Sequence, residues 1–154
     1  MFVEYTNHRE KKSFLGIEVK YSENLDNSPA SHKKRYEKIS RQSEVFNMSY
    51  LSKLKGKPLQ QIWRDHLLSL SLSQDYDDYG EFVYLYPQDN TECSNAINDY
   101  IKTFNKTSNS YFIPLIMEKV IKVIKSYCNE NWVFEFKNRY LDFSKVDKLI
   151  NRET

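Results

Sequence analysis

Glu18 and Lys20 are separated by one residue in a stretch that is predicted to be a β-strand. Because side chains alternate across a strand, the carboxylate and the ammonium should project side by side from one face. A carboxylate supplies oxygen ligands to Mg²⁺, which activates bound water, and a nearby lysine can hold that water or a phosphate oxygen. The pair therefore fits phosphodiester hydrolysis, but the spacing alone equally describes a solvent-facing ion pair, which is the commoner outcome.

A predicted hairpin positions this pair. Phe2–Thr6 and Phe14–Tyr21 are rich in β-branched and aromatic residues, and the polar residues 7–13 between them are typical of a turn. Within the second strand, Glu18 and Lys20 lie on one face and mostly apolar residues lie on the other.

The rest of the chain predicts alternating helices and strands around one sheet. Thr91 is expected to cap one helix and Pro114 to lie in the first turn of another. This order predicts an α/β fold in a single domain, residues 1–154, and the aromatic tail is expected to pack back onto it. The predicted helices cover residues 31–46, 58–73, 91–104 and 114–127, and residues 75–80 are predicted to form an acidic loop. The later strands are Phe82–Tyr86, which is the most hydrophobic and is expected to be central, and Tyr111–Ile113.

Composition excludes several classes of protein. Hydrophobic residues make up 40% and charged residues 29% of the 154 residues, a balance typical of a globular domain. No run of about 18 apolar residues exists, so no membrane-spanning helix is predicted. Cys93 and Cys128 are isolated in sequence and fit neither a zinc site nor a disulfide framework, so a cytoplasmic location is predicted.

A local basic cluster stands out although the net charge is only +2. Such a cluster suits contact with nucleic-acid phosphates, and it equally suits a solvated helix face, so both interpretations stay open. The cluster consists of His32, Lys33, Lys34, Arg35, Lys38 and Arg41.

Four stretches of the chain resemble the PD-(D/E)XK nuclease superfamily, and more closely a bacterial family of restriction-endonuclease-like proteins. The second stretch is the most specific, and together the four cover nearly the whole chain. They are Leu15-Gly16-Ile17-Glu18-Val19-Lys20-Tyr21, Pro58-Leu59-Gln60-Gln61-Ile62-Trp63-Arg64-Asp65-His66-Leu67-Leu68, Phe82-Val83-Tyr84-Leu85-Tyr86-Pro87 with Asn90, and Arg139-Tyr140-Leu141-Asp142-Phe143.

This resemblance implies a set of site residues. Glu18 looks like the metal-binding acid, Lys20 like the lysine of the same motif, and the backbone carbonyl of Val19 like a further metal ligand. A glutamine of the following helix, Gln60 or Gln61, is similar to an additional element of such sites, and both remain candidates. Glu23 is expected to border the site. The implied cofactor is Mg²⁺ or Mn²⁺, and the implied partner is double-stranded DNA, with a homodimer left open.

The resemblance also implies a restriction-endonuclease-like, three-layer α/β/α fold with a mixed sheet, from which the N-terminal helix and first strand are missing. A turn centred near residue 10 would set Glu18 opposite the first one or two residues of the preceding strand. The family's first acid, an aspartate, is therefore expected at or just before Met1. Either Met1 is internal to a longer gene product, which we favour, or Glu4 replaces that acid.

Two functions follow as hypotheses. The first is a Mg²⁺-dependent, restriction-like DNA endonuclease in which metal-activated water cleaves the phosphodiester bond. The second is a catalytically incomplete remnant that acts as a binding or partner module. Two other residues have simpler interpretations: His66 is expected to be a buried helix residue, and Arg64 is expected to form an ion pair or a snorkelling contact.

Overall fold

The computed structural model describes residues 1–21, 25, 31–76, 80–128, 130–142 and 144, with the side chain of Gln74 left out. Glu23, which was expected to border the site, lies outside the described residues. The same holds for two acids of the predicted acidic loop, Asp77 and Asp78, and for Phe143 of the aromatic tail.

A four-stranded mixed sheet forms the centre of the fold. Strands β1 and β2 form the predicted antiparallel hairpin, and β2, β3 and β4 run parallel. The most apolar predicted strand, β3, is central, as the sequence indicates. The strands follow one another in the order β1 (Phe2–Thr6), β2 (Lys12–Val19), β3 (Glu81–Tyr86) and β4 (Phe112–Ile116).

Six α-helices accompany the sheet among the described residues, together with short 3₁₀ turns at Met48–Tyr50 and Ser73–Asp75. Mixed strand directions and flanking helices confirm the predicted α/β class. The helices are α1 (Lys34–Ser43), α2 (Leu51–Leu54), α3 (Leu59–Leu72), α4 (Thr91–Ile101), α5 (Met117–Tyr127) and α6 (Asn131–Tyr140).

Two predicted helix starts were wrong. The side chain of Asn90, not Thr91, caps α4 by accepting a hydrogen bond from the Cys93 N–H at 2.9 Å. Pro114 does not begin a helix but lies inside β4, and α5 starts only at Met117. The reason is positional: β4 is an edge of the sheet, where a residue without an N–H can face away from the ladder.

Helix α3 packs on β3 and provides the main core. Ile62, Trp63 and Leu67 of α3 are fully buried, and they join Phe82 and Tyr84 of β3 in one apolar cluster. Helix α3 lies in the connection between β2 and the parallel strand β3. Ser73 directly follows α3 and Gly80 directly precedes β3, and the Gly80 N–H donates a hydrogen bond to the Ser73 hydroxyl at 3.3 Å. Since the end of α3 lies at the start of β3, the start of α3 lies toward the ends of the parallel strands.

Gly80 allows β2 to bury its first aromatic residue. A Cβ built on Gly80 would lie 2.1 Å from the ring of Phe14, far inside any permitted contact. Phe14 is completely buried, so its ring fills the space that a side chain at position 80 would need. The glycine therefore fixes how closely the segment before β3 approaches the strand that carries Glu18.

The aromatic tail is only partly buried. Val133 of α6 is 2% exposed, and the Tyr21 and Tyr140 rings are in edge contact at 6.0 Å. In contrast, Trp132 is 50% and Phe134 is 57% exposed, so the prediction that the tail aromatics pack back was wrong for these two. Across the described part of the chain, no helix combines the length and apolar character that crossing a bilayer demands.

Candidate active site

Glu18 and Lys20 form a close ion pair at the end of β2. The Lys20 ammonium lies 2.8 Å from Oε1 of Glu18, and the glutamate side chain is 31% exposed. Lys20 itself is only 6% exposed, and its N–H bonds to the Leu85 carbonyl of β3 at 2.9 Å, which fixes the strand end. A lysine this buried would be costly without its carboxylate, so the pair differs from a solvent-facing surface bridge.

Asp65 brings a second carboxylate to the pair. It projects from α3 and, together with Glu18, lines a cleft of about 320 Å³ between this helix and the β1–β2 hairpin. Its Oδ2 atom is buried and accepts no hydrogen bond from any described residue. Because a buried oxygen without a donor is unfavourable, this atom is suited to a ligand that supplies positive charge.

The electrostatics of Asp65 show how closely the charges interact. Burial, followed by the negative charge of Glu18, raises the pKa of Asp65 to about 6, while Lys20 and Arg64 act in the opposite direction. Two carboxylates that repel each other while one lacks a donor form an arrangement that a cation would relieve.

The glutamine candidates lie in the first turn of α3, and both are partly exposed. Gln61 is one turn before Asp65, so it lies on the helix face that continues through Asp65 and Leu68 into the cleft. Gln60 is one turn before Arg64 instead. Both glutamines make contacts of their own, and neither lines the cleft. Helical geometry therefore favours Gln61 as the nearer of the two.

Val19 presents only its main chain to this face of the sheet. Its side chain is 42% exposed and points away from Glu18 and Lys20, as alternation along a strand requires. Any part that Val19 has in the site is therefore limited to its carbonyl group.

The hairpin register differs from the predicted one. Met1 pairs with Ile17, through a 2.7 Å bond from its amino group and a 2.8 Å bond to its carbonyl. Phe2 pairs with Gly16, so Glu18 lies beyond the β1 residues in the ladder rather than opposite residue 1 or 2. The turn is centred about one residue earlier than predicted, and this shift moves the pairing partner by two positions.

Glu4 is not placed beside Glu18, where the family's first acid is expected. It pairs with Phe14, which is four residues before Glu18, or about 13 Å along β2. Its carboxylate accepts a hydrogen bond from the Tyr76 hydroxyl. Asp65, which comes from a helix rather than a strand, is the acid that shares the cleft with Glu18.

The donor set fits Mg²⁺ or Mn²⁺ better than zinc. No group of three or more His, Cys, Asp or Glu side chains converges on a metal position in the described ranges. Structural and catalytic zinc sites need three or four such ligands, whereas Mg²⁺ keeps several waters and takes one or two carboxylates. Glu18 and Asp65, with the unpartnered Oδ2 atom, provide that smaller set.

Neutral residues lie next to the charged group. His66 is fully buried, with Nδ1 2.9 Å from the Tyr100 hydroxyl, and burial lowers the pKa of this histidine to about 3. Burial also raises the pKa of Tyr84, the β3 neighbour of Glu18, well above its usual range. The expectation that His66 is a structural residue agrees with these contacts, because a neutral, enclosed imidazole cannot exchange protons with substrate.

A family model described as PD-(D/E)XK nuclease superfamily matches residues 1–142. The chain belongs to this superfamily. The match spans the β1–β2 hairpin, α3 and β3, and therefore includes every residue of the candidate site. Nucleases of the superfamily typically use divalent metals, and membership suggests hydrolytic activity on a nucleic acid. No curated protein and no solved structure matches the chain.

Sequence reasoning missed Asp65 as a site residue. One signal was present, because Asp65 follows Gln61 by one turn within the stretch that most specifically resembles the superfamily. The decisive information, namely that α3 packs with this face against the end of β2, is tertiary.

Proposed function

We propose that the protein is a Mg²⁺-dependent DNA endonuclease of restriction-like type. One observation carries the proposal: Glu18 and Asp65 line one cleft, Lys20 is paired with Glu18 at 2.8 Å, and an Asp65 oxygen is buried without a donor among the described residues. Membership of a nuclease superfamily supports the reaction class. The finer points, namely DNA as substrate, Mg²⁺ as cofactor and the roles of individual residues, are part of the proposal.

In this proposal Glu18 and Asp65 hold the metal ion, with the Val19 carbonyl as a further ligand. The ion, when bound, supplies an activated water and stabilises negative charge on the scissile phosphate. In the metal-free protein, ionising Asp65 at neutral pH costs free energy, because its pKa is raised to about 6. A bound metal ion would supply the positive charge that this carboxylate lacks. Two acids are within the one or two carboxylates that a Mg²⁺ site with substrate phosphate uses.

Lys20 is proposed to orient the nucleophilic water or a phosphate oxygen. Its ammonium is held 2.8 Å from Glu18, so it is fixed next to the metal-binding acid before substrate arrives. A charge that is already in position loses little free energy to reorganisation during the reaction. Gln61, with Gln60 as the alternative, is proposed to orient substrate or water from the start of α3.

The remnant hypothesis loses its main support in this arrangement. It rested on the lack of a second acid beside Glu18, and Asp65 occupies the same cleft. The incomplete module therefore remains only as an outcome of the test.

Cleavage of supercoiled plasmid DNA in the presence of Mg²⁺ or Mn²⁺ tests the proposal. The parent chain should nick or linearise the plasmid, EDTA should abolish the reaction, and Glu18→Gln, Lys20→Met and Asp65→Asn should each reduce the rate about 100-fold or more. Lys122→Gln, an exposed lysine of α5, serves as the matched control and should be as active as the parent.

An inactive parent chain that still binds DNA would support the incomplete module instead. Equal cleavage by the parent and the three site variants would remove the proposed site. A matched RNA transcript in the same assay decides whether DNA is the preferred substrate.

A further inference from the structure

A second cleft lies directly beside the proposed active site. It has a volume of about 290 Å³ and runs between the start of α1 and the middle of α3. Lys33, which directly precedes α1, and Arg35 of α1 line one side of it. Arg64 of α3 lines the other side. Asp65 lines both this cleft and the one that contains Glu18, so the two clefts are adjacent. We call this second cleft the α1–α3 groove.

Arg64 is the best-fixed cation of the groove. Its guanidinium carbon lies 5.9 Å from the centre of the Tyr36 ring, which holds the side chain by a cation–π contact. Its Nε atom is buried and has no hydrogen-bond acceptor among the described residues. No carboxylate forms an ion pair with Arg64 within that part of the chain, so of the two expected contacts, an ion pair or a snorkelling contact, the ion pair is not the one formed. A rigid guanidinium with an unused donor is suited to an anion that can accept it, such as a phosphate.

Lys33 and Arg35 are likewise left without carboxylate partners. The acid of the first turn of α1, Glu37, is occupied by His32 at 2.9 Å and by Lys55 at 2.6 Å. Both groove cations are exposed, and neither forms an ion pair with any described residue. Cations at the start of a helix oppose its dipole, so helix stability does not account for them.

The lining of the groove therefore combines three cations with one carboxylate, that of Asp65. A nucleic-acid strand carries a phosphate at every nucleotide, so a strand with one phosphate at the metal-binding acids has others close by. The three cations would neutralise such a neighbouring phosphate, whereas Asp65 would repel a phosphate unless a metal ion lay between them.

We propose that the α1–α3 groove binds a backbone phosphate of the DNA strand next to the scissile one, through Arg64, Arg35 and Lys33. This inference rests on the proposed nuclease function for its substrate, but its contacts are to the backbone and do not depend on cleavage. The remaining basic residues of the cluster, Lys34, Lys38 and Arg41, are outside the groove lining and are expected to contribute less.

Equilibrium binding in EDTA tests the groove without any cleavage. A fluorescein-labelled DNA duplex and the corresponding single strand are titrated with the full chain, and anisotropy is followed at several salt concentrations. Each lost phosphate contact should reduce the magnitude of the slope of log K against log salt by about 0.9 for the duplex and about 0.7 for the single strand. At about 0.1 M salt this corresponds to a roughly five- to tenfold weaker affinity.

Arg35→Gln and Lys33→Gln are the primary variants, because both side chains are exposed and their removal should not disturb folding. Arg64→Lys loses the planar guanidinium but keeps the positive charge. Because the charge remains, this variant should weaken binding less than Arg64→Gln. Lys119→Gln and Lys122→Gln replace exposed lysines of α5 and serve as matched controls that should bind as the parent does.

The outcomes separate this inference from the nuclease proposal. Loss of affinity in the groove variants, with a chain that does not cut DNA, upholds the groove and removes the nuclease. Groove variants that bind with the parent's affinity and salt slope, or that lose no more than the α5 controls, overturn the groove even if the plasmid is cleaved. A parent chain that binds neither oligonucleotide also overturns it.

Discussion

Asp65→Asn is expected to make the metal-free protein more stable at neutral pH. The pKa of Asp65 rises from 3.8 to about 6 on folding, a difference of about 2 units. At 1.36 kcal/mol per unit, ionised Asp65 costs the folded state about 3 kcal/mol. Asparagine has the same shape and no charge, so it avoids this cost. The side-chain amide of the asparagine introduces an N–H donor without an acceptor, which costs about 1 kcal/mol. The net gain in the free energy of unfolding is therefore about 2 kcal/mol.

The gain should depend on pH in a defined direction. Between pH 3.8 and about 6 the folded parent binds more protons at Asp65 than the unfolded chain does, so its stability falls as pH rises through this window. The advantage of the variant should therefore be absent below the window and complete above it. Urea unfolding in EDTA, followed by circular dichroism on both sides of the window, measures this difference.

Asp99→Asn is the matched control with the opposite sign. Hydrogen bonds from Lys102 and Lys53 hold the pKa of Asp99 below its usual range, so this variant should lose stability at neutral pH. If Asp65→Asn is no more stable than the parent at neutral pH, or if its advantage is the same at every pH, Asp65 is not a desolvated carboxylate and the argument for a metal at this position fails.

Three further predictions concern residues around the site. Lys20→Met should fold, because the methionine side chain replaces the buried methylene groups of the lysine. It should nevertheless retain at most about 1% of the plasmid cleavage rate, measured by time courses on agarose gels. His66→Gln should make the free energy of unfolding less sensitive to acid. In the parent, protonation of His66 should cost about 1.4 kcal/mol of stability per pH unit as pH falls from 6.5 toward about 3. Urea titrations that give the variant the same pH slope as the parent would contradict this. Gly80→Ala should lower the free energy of unfolding by about 3 kcal/mol or more, since its methyl group meets the Phe14 ring at 2.1 Å, and an unchanged melting temperature would show that the ring can move aside.

Local pattern was sufficient to predict most of the sheet and the shared face of Glu18 and Lys20. Alternation along β2 predicts that Glu18 and Lys20 share a face, and their 2.8 Å contact agrees with it. The predicted helix over residues 58–73 and the predicted strand Phe82–Tyr86 likewise correspond to α3 and β3. Such features depend on spacing within one element, which the sequence contains directly.

Features that depend on two elements were harder to predict. The hairpin register was wrong because a one-residue change in the turn moves each partner by two positions. Pro114 was assigned to a helix because its place in an edge strand follows from the neighbours of β4 rather than from its own sequence. Asp65 was missed for the same reason, since its distance from Glu18 is set by helix packing.

The basic cluster illustrates the same limit in another way. Sequence alone left a nucleic-acid surface and a solvated helix face equally open. The fold selects Lys33 and Arg35, which line the α1–α3 groove with Arg64, and it assigns His32 to a contact with Glu37. Charge density was visible in the sequence, but the direction in which each charge points was not.

Titration of the protein with Mn²⁺ and Mg²⁺ by isothermal calorimetry tests the central claim most directly, because it measures the metal site without substrate or turnover. The parent should bind one ion, and Glu18→Gln and Asp65→Asn should each weaken binding strongly, while Asp99→Asn should bind as the parent does. Binding that is unchanged in both site variants, or a parent that binds neither ion, would contradict the claim that these two acids form a divalent-metal site.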